Sequence, residues 1–494
     1  MRRSMPIFYS ALLLTGVNLL LRLVGTSFQV FVSGRIGAAG VGLLQLVLSV
    51  GAMATTAGIA GIRTATMYLT AEELGRKRPG SVRYILSGCF VYALVCGGAV
   101  SAGLYIFAPK IAESWIGDPQ TASAIRLLAV TLPVTCLGGV MTGYFTAANR
   151  IGTLAAVEVA EQLCSMAVTM GLLNFWAGQE VHRACTSVVL GGSMGACLTL
   201  VCLLVLRCRE KPEPGRPIRV KRRILDAAVP LAMADDLKAA INTTENLMVP
   251  KRLALYAGTD SPLALFGTVC GMVFPVLMFP AAILFGLNEL LIPELARCNA
   301  AGSERRIHYL VRRSLRIAML YGVTCGGILH LLSTDLCEAL YGSAEAGKYL
   351  KIYAFLAPML YTDSVTDAMT KGLGQQKICV RYNILTSVLD VIFLYFLLPE
   401  YGMEGYFISF LATHLLNFLL SITRLLKITG LRIPIRVPLL TITVMLLAIW
   451  GAGYLPSPFG RVFAYLALLF SALTLLGIVS GEDALWLKGL IYKK

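Results

Sequence analysis

Fourteen stretches of mainly apolar residues recur along this chain, with approximate limits 7–32, 41–69, 84–108, 122–148, 153–176, 184–206, 225–249, 264–292, 310–332, 350–370, 380–398, 404–423, 438–456 and 462–480. About 20 such residues are what an α-helix needs to cross a bilayer. In hydrocarbon a backbone must satisfy its own N–H and C=O groups, so runs of this kind fold as helices. The rest of the composition agrees. Of the 494 residues 57% are apolar and 14% charged, and the mean hydropathy is +0.73. A soluble chain of this length would split into several domains, each needing a polar skin that so few charges cannot supply. A soluble multidomain enzyme, a disordered chain and a secreted disulfide scaffold are thereby excluded. The expected fold is an all-α polytopic membrane protein. Met1-Arg2-Arg3 resembles the start of a signal peptide. The length of the first stretch, its Arg22 and the lack of an A-x-A site mark it instead as a retained helix.

Fourteen crossings put both termini on one side, and the basic residues choose which. Loops on the side of the termini hold 30 of the 43 Lys and Arg residues, the opposite loops 8, and the segments themselves 5. By the positive-inside rule both ends are cytoplasmic in the plasma membrane. The net charge of +16 is then topology and attraction to an anionic inner leaflet, not nucleic-acid binding. The thirteen cysteines are scattered through apolar runs without a C-x-x-C pair or a Cys/His cluster, and are expected to be small packing residues.

The longest polar connection, 207–223, carries Pro212, Pro214 and Pro217 and divides six segments from eight. The two sides repeat faintly. Segment 2 leaves through Glu72-Glu73-Leu74 to Arg76, and segment 8 through Glu294-Leu295 to Arg297. The expected organisation is an N-terminal lobe at 1–206, a basic cytoplasmic linker at 207–223, a C-terminal lobe at 224–430 and two added helices with a tail at 431–494. A six-helix repeat keeps its orientation, relating the lobes by an axis along the membrane normal.

A charge inside a membrane is costly and normally faces a cavity or a partner. Asn18 and Arg22 stand i, i+4 on segment 1, and Arg63 lies in segment 2. Glu158 and Glu161 share a face of segment 5. Segment 7 holds Asp235, Asp236, Lys238 and Glu245, segment 10 Asp363 and Asp367, and segment 11 Asp390. Arginine stays protonated and presents a fork suited to phosphate. The first two segments contain no acid before Glu72. That favours an anionic ligand, with structural ion pairs as the competing reading for the same arginines. Asp235 and Asp236 follow Pro230, whose freed carbonyls suit a Na⁺ or H⁺ site. Pro275 and Pro280 kink segment 8 and suit a helix that changes shape between two access states. No Walker A loop and no metal-ligand cluster occurs, so no catalytic residue, cofactor or metal is expected.

Several ordered motifs resemble one family. They are Glu245-Asn246-Leu247-Met248-Val249-Pro250-Lys251-Arg252-Leu253, Gly271 through Pro275 to Phe279-Pro280, Leu291-Ile292-Pro293-Glu294-Leu295, Leu340-Tyr341-Gly342-Ser343, Gly372 to Gln376 and Glu404-Gly405-Tyr406, with Gly143-Tyr144-Phe145 and Glu161-Gln162 near the front. Together, over roughly 1–430, they resemble the stage V sporulation protein B branch of the polysaccharide transporters. The resemblance implies the multidrug/oligosaccharidyl-lipid/polysaccharide (MOP) exporter superfamily, with two six-helix lobes and two appended helices. It implies a flippase or exporter of a lipid-linked saccharide or peptidoglycan precursor working by alternating access. Lipid II flippases of the group line their cavity with arginines. Arg22 before Gly25 matches the first of these, whereas Phe28 stands where the second is expected. The expected substrate site is Arg22 and Arg63, binding a pyrophosphate, with Asn18 and Glu161. Asp235, Asp236, Glu245, Asp363 and Asp367 are the candidates for ion coupling. Two rival readings remain open: a cation-coupled multidrug antiporter of the same fold, and a membrane scaffold for sporulation or envelope-synthesis enzymes.

Overall fold

A computed structural model describes residues 7–478 except 77, 176–180, 210–220, 259–260, 433 and 435. Among the described residues there is no strand, and each of the fourteen apolar segments overlaps a helix. Most of the linker 207–223, like the C-terminal tail, lies outside the described residues. Two compact units form. The first comprises residues 1–271 with 390–406, the second 272–389 with 407–494. Segment 7 therefore belongs to the first unit.

The first unit contains α1 (Ile7–Ile59), α2 (Ile62–Gly75), α3 (Val82–Lys110), α4 (Ala122–Ala147), α5 (Ile151–Phe175), α6 (Val181–Cys208), α7 (Lys221–Leu253) and α8 (Pro262–Phe266). α1 holds all of segment 1 and most of segment 2, divided at Gly37, whose φ of 68° interrupts the helix. α1 and α2 both pack against α7, and α4 packs against α2, α3 and α6. The approach of α4 to α2 depends on Gly143, because a Cβ there would strike the carbonyl oxygen of Arg63.

The second unit contains α9 (Phe274–Met278), α10 (Ala281–Ala300), α11 (Glu304–Leu331), α12 (Ser333–Tyr341), α13 (Ala344–Tyr353), α14 (Ala357–Gly372), α16 (Arg436–Ala452) and α17 (Pro458–Leu475). Between α14 and α16 runs α15 (Gln376–Thr429), interrupted at Gly402, and its stretch 390–406 belongs to the first unit. α10, α14 and α16 surround α11. The α16–α17 hairpin is fastened to it by an apolar cluster that includes Val323, Met445, Ala448, Tyr465 and Leu469. The buried Tyr465 hydroxyl donates to the carbonyl of Val323 at 2.6 Å. Arg461 closes the outer end, bonding the Leu331 carbonyl and Asp335, each at 3.0 Å.

Among the described residues eight helices are long and apolar enough to cross a membrane, or nine counting the bent pair 262–300. Two of the eight, 19–75 and 376–429, each hold two apolar segments. α7 fails that test because it is rich in charge, while α14 and α16, with 16 and 17 residues, fall short in length. Outward faces remain apolar, as at Trp450, Phe459 and Phe463, which suits contact with lipid.

Candidate functional site

A cavity of about 520 Å³ opens inside the first unit, between residues 49–64 and residues 235–246 of α7. Its position follows from a break that the hydropathy of segment 2 does not announce. Ala60 and Gly61 take φ of 43° and 69°, both left-handed, so the helix stops and restarts as α2. Such a conformation is strained for alanine. The Tyr92 hydroxyl supports it by donating to the Ala60 carbonyl at 3.3 Å. The first backbone bond of the new helix runs from the Ala65 N–H to Gly61, and no side chain caps its start. A helix start of this kind carries partial positive charge. Gly61, Arg63 and Thr64 lie on the cavity wall at that point.

The facing wall is one stripe of α7. Lys238, Asn242 and Asn246 recur every four residues and so share a face, with Asp235 at its lower edge. Arg63, Asp235, Lys238 and Asn242 are all exposed. Asn246 donates to the Ser49 hydroxyl at 2.9 Å, and Thr243 to the Ser49 carbonyl at 3.1 Å. These bonds lock α7 to the upper end of the cavity. At the far end of the same helix pair, Arg223 bonds Glu72 at 2.8 Å and Glu73 at 3.0 Å. Chemically the cavity offers two cations, one carboxylate, two amides and several hydroxyls.

The structure brings two predicted residues, Arg63 and Asp235, to this cavity. Arg22 is half-buried on α1, has an interaction of its own within the protein and is not on the cavity wall. The side chain of Asn18 lies outside the described residues. Glu161 on α5 accepts a 2.6 Å bond from the Thr199 hydroxyl, while its neighbour Glu158 feels the charge of Arg63. Asp236 turns away from the cavity and has a buried oxygen with no partner among the described residues. Glu245 meets Asp390 across the first unit, carboxyl to carboxyl. In the second unit Asp363 accepts from Asn417 at 3.0 Å, and each keeps one buried oxygen without a donor among the described residues. Asp367 pairs with Lys371 at 2.6 Å.

Pro275 lies inside the continuous helix Pro262–Met278, where a π-helical stretch gives way to α9, and Pro280 stands at the break before α10. At Pro280 the path turns by 59°. The Tyr361 hydroxyl donates to the Leu277 carbonyl at 2.6 Å and the Tyr321 hydroxyl to the Pro280 carbonyl at 2.8 Å. Among the described residues no group of three His, Cys, Asp or Glu side chains is placed to hold a metal.

Comparison with known proteins places this arrangement. Residues 40–320 match the family described as polysaccharide biosynthesis protein. The chain belongs to that family. Residues 260–396 also match MatE, and the chain falls in the polysaccharide transporter branch of the MOP superfamily. Stage V sporulation protein B of Bacillus subtilis (strain 168) is 21% identical over 96% of this chain and 93% of its own length. EPS I polysaccharide export inner membrane protein EpsE of Ralstonia solanacearum is 24% identical over 64% of this chain and 70% of its own. The structure of lipid II flippase MurJ in its inward closed conformation superposes with a TM-score of 0.69 at 13% identity, covering 94% of this chain and 98% of that one. An inward-facing MATE family multidrug resistance transporter gives 0.64 at 14% identity, covering 87% and 98%. These structural likenesses establish the fold, and with it a multi-pass membrane protein.

Sequence reasoning missed Lys238, Asn242 and Asn246 as a set. Their spacing of four is a legible sign, but uncharged asparagines do not stand out in a helix that also carries Asp235, Asp236 and Glu245.

Proposed function

We propose that this protein carries a lipid-linked saccharide, joined to a polyprenyl carrier through pyrophosphate, across the plasma membrane by alternating access. The observation that carries the reading is Arg63, exposed on the wall of a polar cavity at the uncapped start of α2. A permanently charged fork beside the positive end of a helix is suited to phosphate oxygens. Arg22 is the second arginine of the reading, with Asn18 and Glu161 as neighbours on their helices. Asp235, Asp236, Glu245, Asp363 and Asp367 are the acids through which an ion gradient would reset the carrier. Pro275 and Pro280 mark the helix that bends between access states. Both termini are cytoplasmic, where basic loops meet anionic lipid.

Native mass spectrometry of protein gently extracted from its own membranes tests this. The expected result is an adduct with the mass of a polyprenyl-pyrophosphate saccharide, diminished when Arg22 and Arg63 are both replaced by alanine. Protein carrying only bulk phospholipid, and gaining no polyprenyl-pyrophosphate lipid on addition, overturns the reading. An adduct unaffected by the double replacement overturns the arginine assignment.

Two observations favour a second reading. The Glu245–Asp390 contact and the MatE match suit a cation-coupled antiporter for organic cations. Export of an organic dye that ceases in Glu245→Gln protein would support it, and unchanged drug sensitivity on overexpression would remove it.

A further inference from the structure

The cavity has two chemically different ends. Ser49, Asn242 and Asn246 lie toward one, and Arg63, Asp235 and Lys238 toward the other. Along α7 the stripe from Lys238 to Asn246 covers eight residues, about 12 Å at 1.5 Å per residue. That length accommodates a pyrophosphate at one end and a sugar ring at the other.

The cationic end fits a dianion. A pyrophosphate diester carries two negative charges, and a charge partly withdrawn from water has to be paired. Arg63 supplies a fork and Lys238 a compact point charge. Lys238 makes no ion pair among the described residues, so its ammonium is not committed to the fold. Asp235 shares this wall, and Glu158 on α5 also acts on Arg63. The first-turn amides of α2 add partial positive charge on the Arg63 side.

The amide end fits hydroxyls. A carboxamide presents donors and an acceptor together, as a sugar hydroxyl does. Asn242 is exposed and makes no hydrogen bond among the described residues. Asn246 spends one N–H on Ser49, so its carbonyl remains to accept.

We propose that Lys238 joins Arg63 in holding the pyrophosphate, and that Asn242 with Asn246 reads the hydroxyls of the first sugar. The proposal rests on the lipid-linked saccharide reading above. It divides that site into a part that sets affinity for the carrier and a part that sets preference for its sugar.

The test uses the full-length protein in detergent and two probes, undecaprenyl pyrophosphate and undecaprenyl-pyrophosphoryl-N-acetylglucosamine. Dissociation constants are measured for both. Lys238→Ala is expected to weaken both probes about tenfold, the worth of one charge-assisted contact. Lys238→Arg is expected to restore most of that loss. The double variant Asn242→Ala/Asn246→Ala is expected to weaken the sugar-bearing lipid about fivefold more than the bare one, abolishing the preference. Unfolding temperatures matching the wild type exclude misfolding as the cause. Lys238→Ala protein that binds both probes like the wild type overturns the proposal, as does an asparagine pair whose loss weakens both equally. In those cases the parent reading stands, because the wild type still binds. Wild-type protein that binds neither probe removes the parent reading and this one with it.

Discussion

Arg223 is the residue whose removal tests the packing argument most sharply. It opens α7 and reaches across to the last turn of α2, where it bonds Glu73 at 3.0 Å and Glu72 at 2.8 Å. Both glutamates sit at the carbonyl end of a helix, where the dipole disfavours negative charge. Their surroundings differ. Glu73 is 1% exposed and its second carboxylate oxygen is buried without a partner among the described residues. Glu72 is 26% exposed and also pairs with Arg76 at 2.6 Å. Arg223→Ala therefore strands a buried charge at Glu73, at a cost of about 3–5 kcal/mol. Glu73→Gln keeps the shape without the charge and is expected to cost about 1–2 kcal/mol. In the double variant no charge is stranded, so the Arg223–Glu73 coupling is about 2–3 kcal/mol. The same cycle with Glu72→Gln is expected to give less than about 1 kcal/mol, because a partly exposed pair with a second partner is worth little. Reversible unfolding in titrated SDS, followed by reaction of buried thiols such as Cys89 and Cys136, measures all four corners of each cycle. Equal couplings, or a larger one for Glu72, would refute the reasoning from burial.

Three further outcomes are expected. Gly143→Ala places a methyl against the Arg63 carbonyl, so it is expected to cost about 1–3 kcal/mol and to weaken binding of polyprenyl pyrophosphate. Gly139→Ala is the control, since its Cβ meets nothing nearer than 3.9 Å. Asp235→Asn removes the one carboxylate from the cavity wall, and calorimetry with the same lipid should find tighter binding; weaker binding would show that the carboxylate helps to hold the ligand. Tyr465→Phe loses one buried hydrogen bond and is expected to cost about 1 kcal/mol, whereas Tyr465→Ala empties the interface of α17 with α11 and costs about 3–5 kcal/mol. Equal effects of the two Tyr465 variants in SDS titration would mean that the ring does not hold the hairpin.

The helices were legible because hydrocarbon leaves the backbone so few choices. Stretches of about 20 apolar residues mark where a chain must satisfy itself. The interruptions were less legible. Gly37 falls between two apolar runs, as a turn should, but the break at Ala60–Gly61 lies inside one, and alanine gives no warning of a left-handed conformation. Arg63 was found as a charge out of place. Its setting was not found, because the start of α2 exists only once that break is made. Lys238 and Arg223 illustrate a second limit. Each is one of 43 Lys and Arg residues, and only the fold shows that Arg223 serves buried Glu73, 150 residues away, while Lys238 serves no acid among the described residues. Asp367 is the converse, an intramembrane acid that Lys371 neutralises four residues along the same helix. Segment 7 shows a third limit. Hydropathy locates a helix but does not say which neighbours it packs with, and α7 joins the unit that precedes it.

The elbow at Pro280 comes with its own lids. In hydrocarbon an uncapped carbonyl costs several kcal/mol, so a bare corner would be under constant pressure to straighten. Here two tyrosines, one from α11 and one from α14, already occupy the Leu277 and Pro280 carbonyls, and their rings stack with centroids 6.0 Å apart. The same two side chains thereby tie the elbow to both neighbouring helices, so a change of its angle has to exchange these bonds for others.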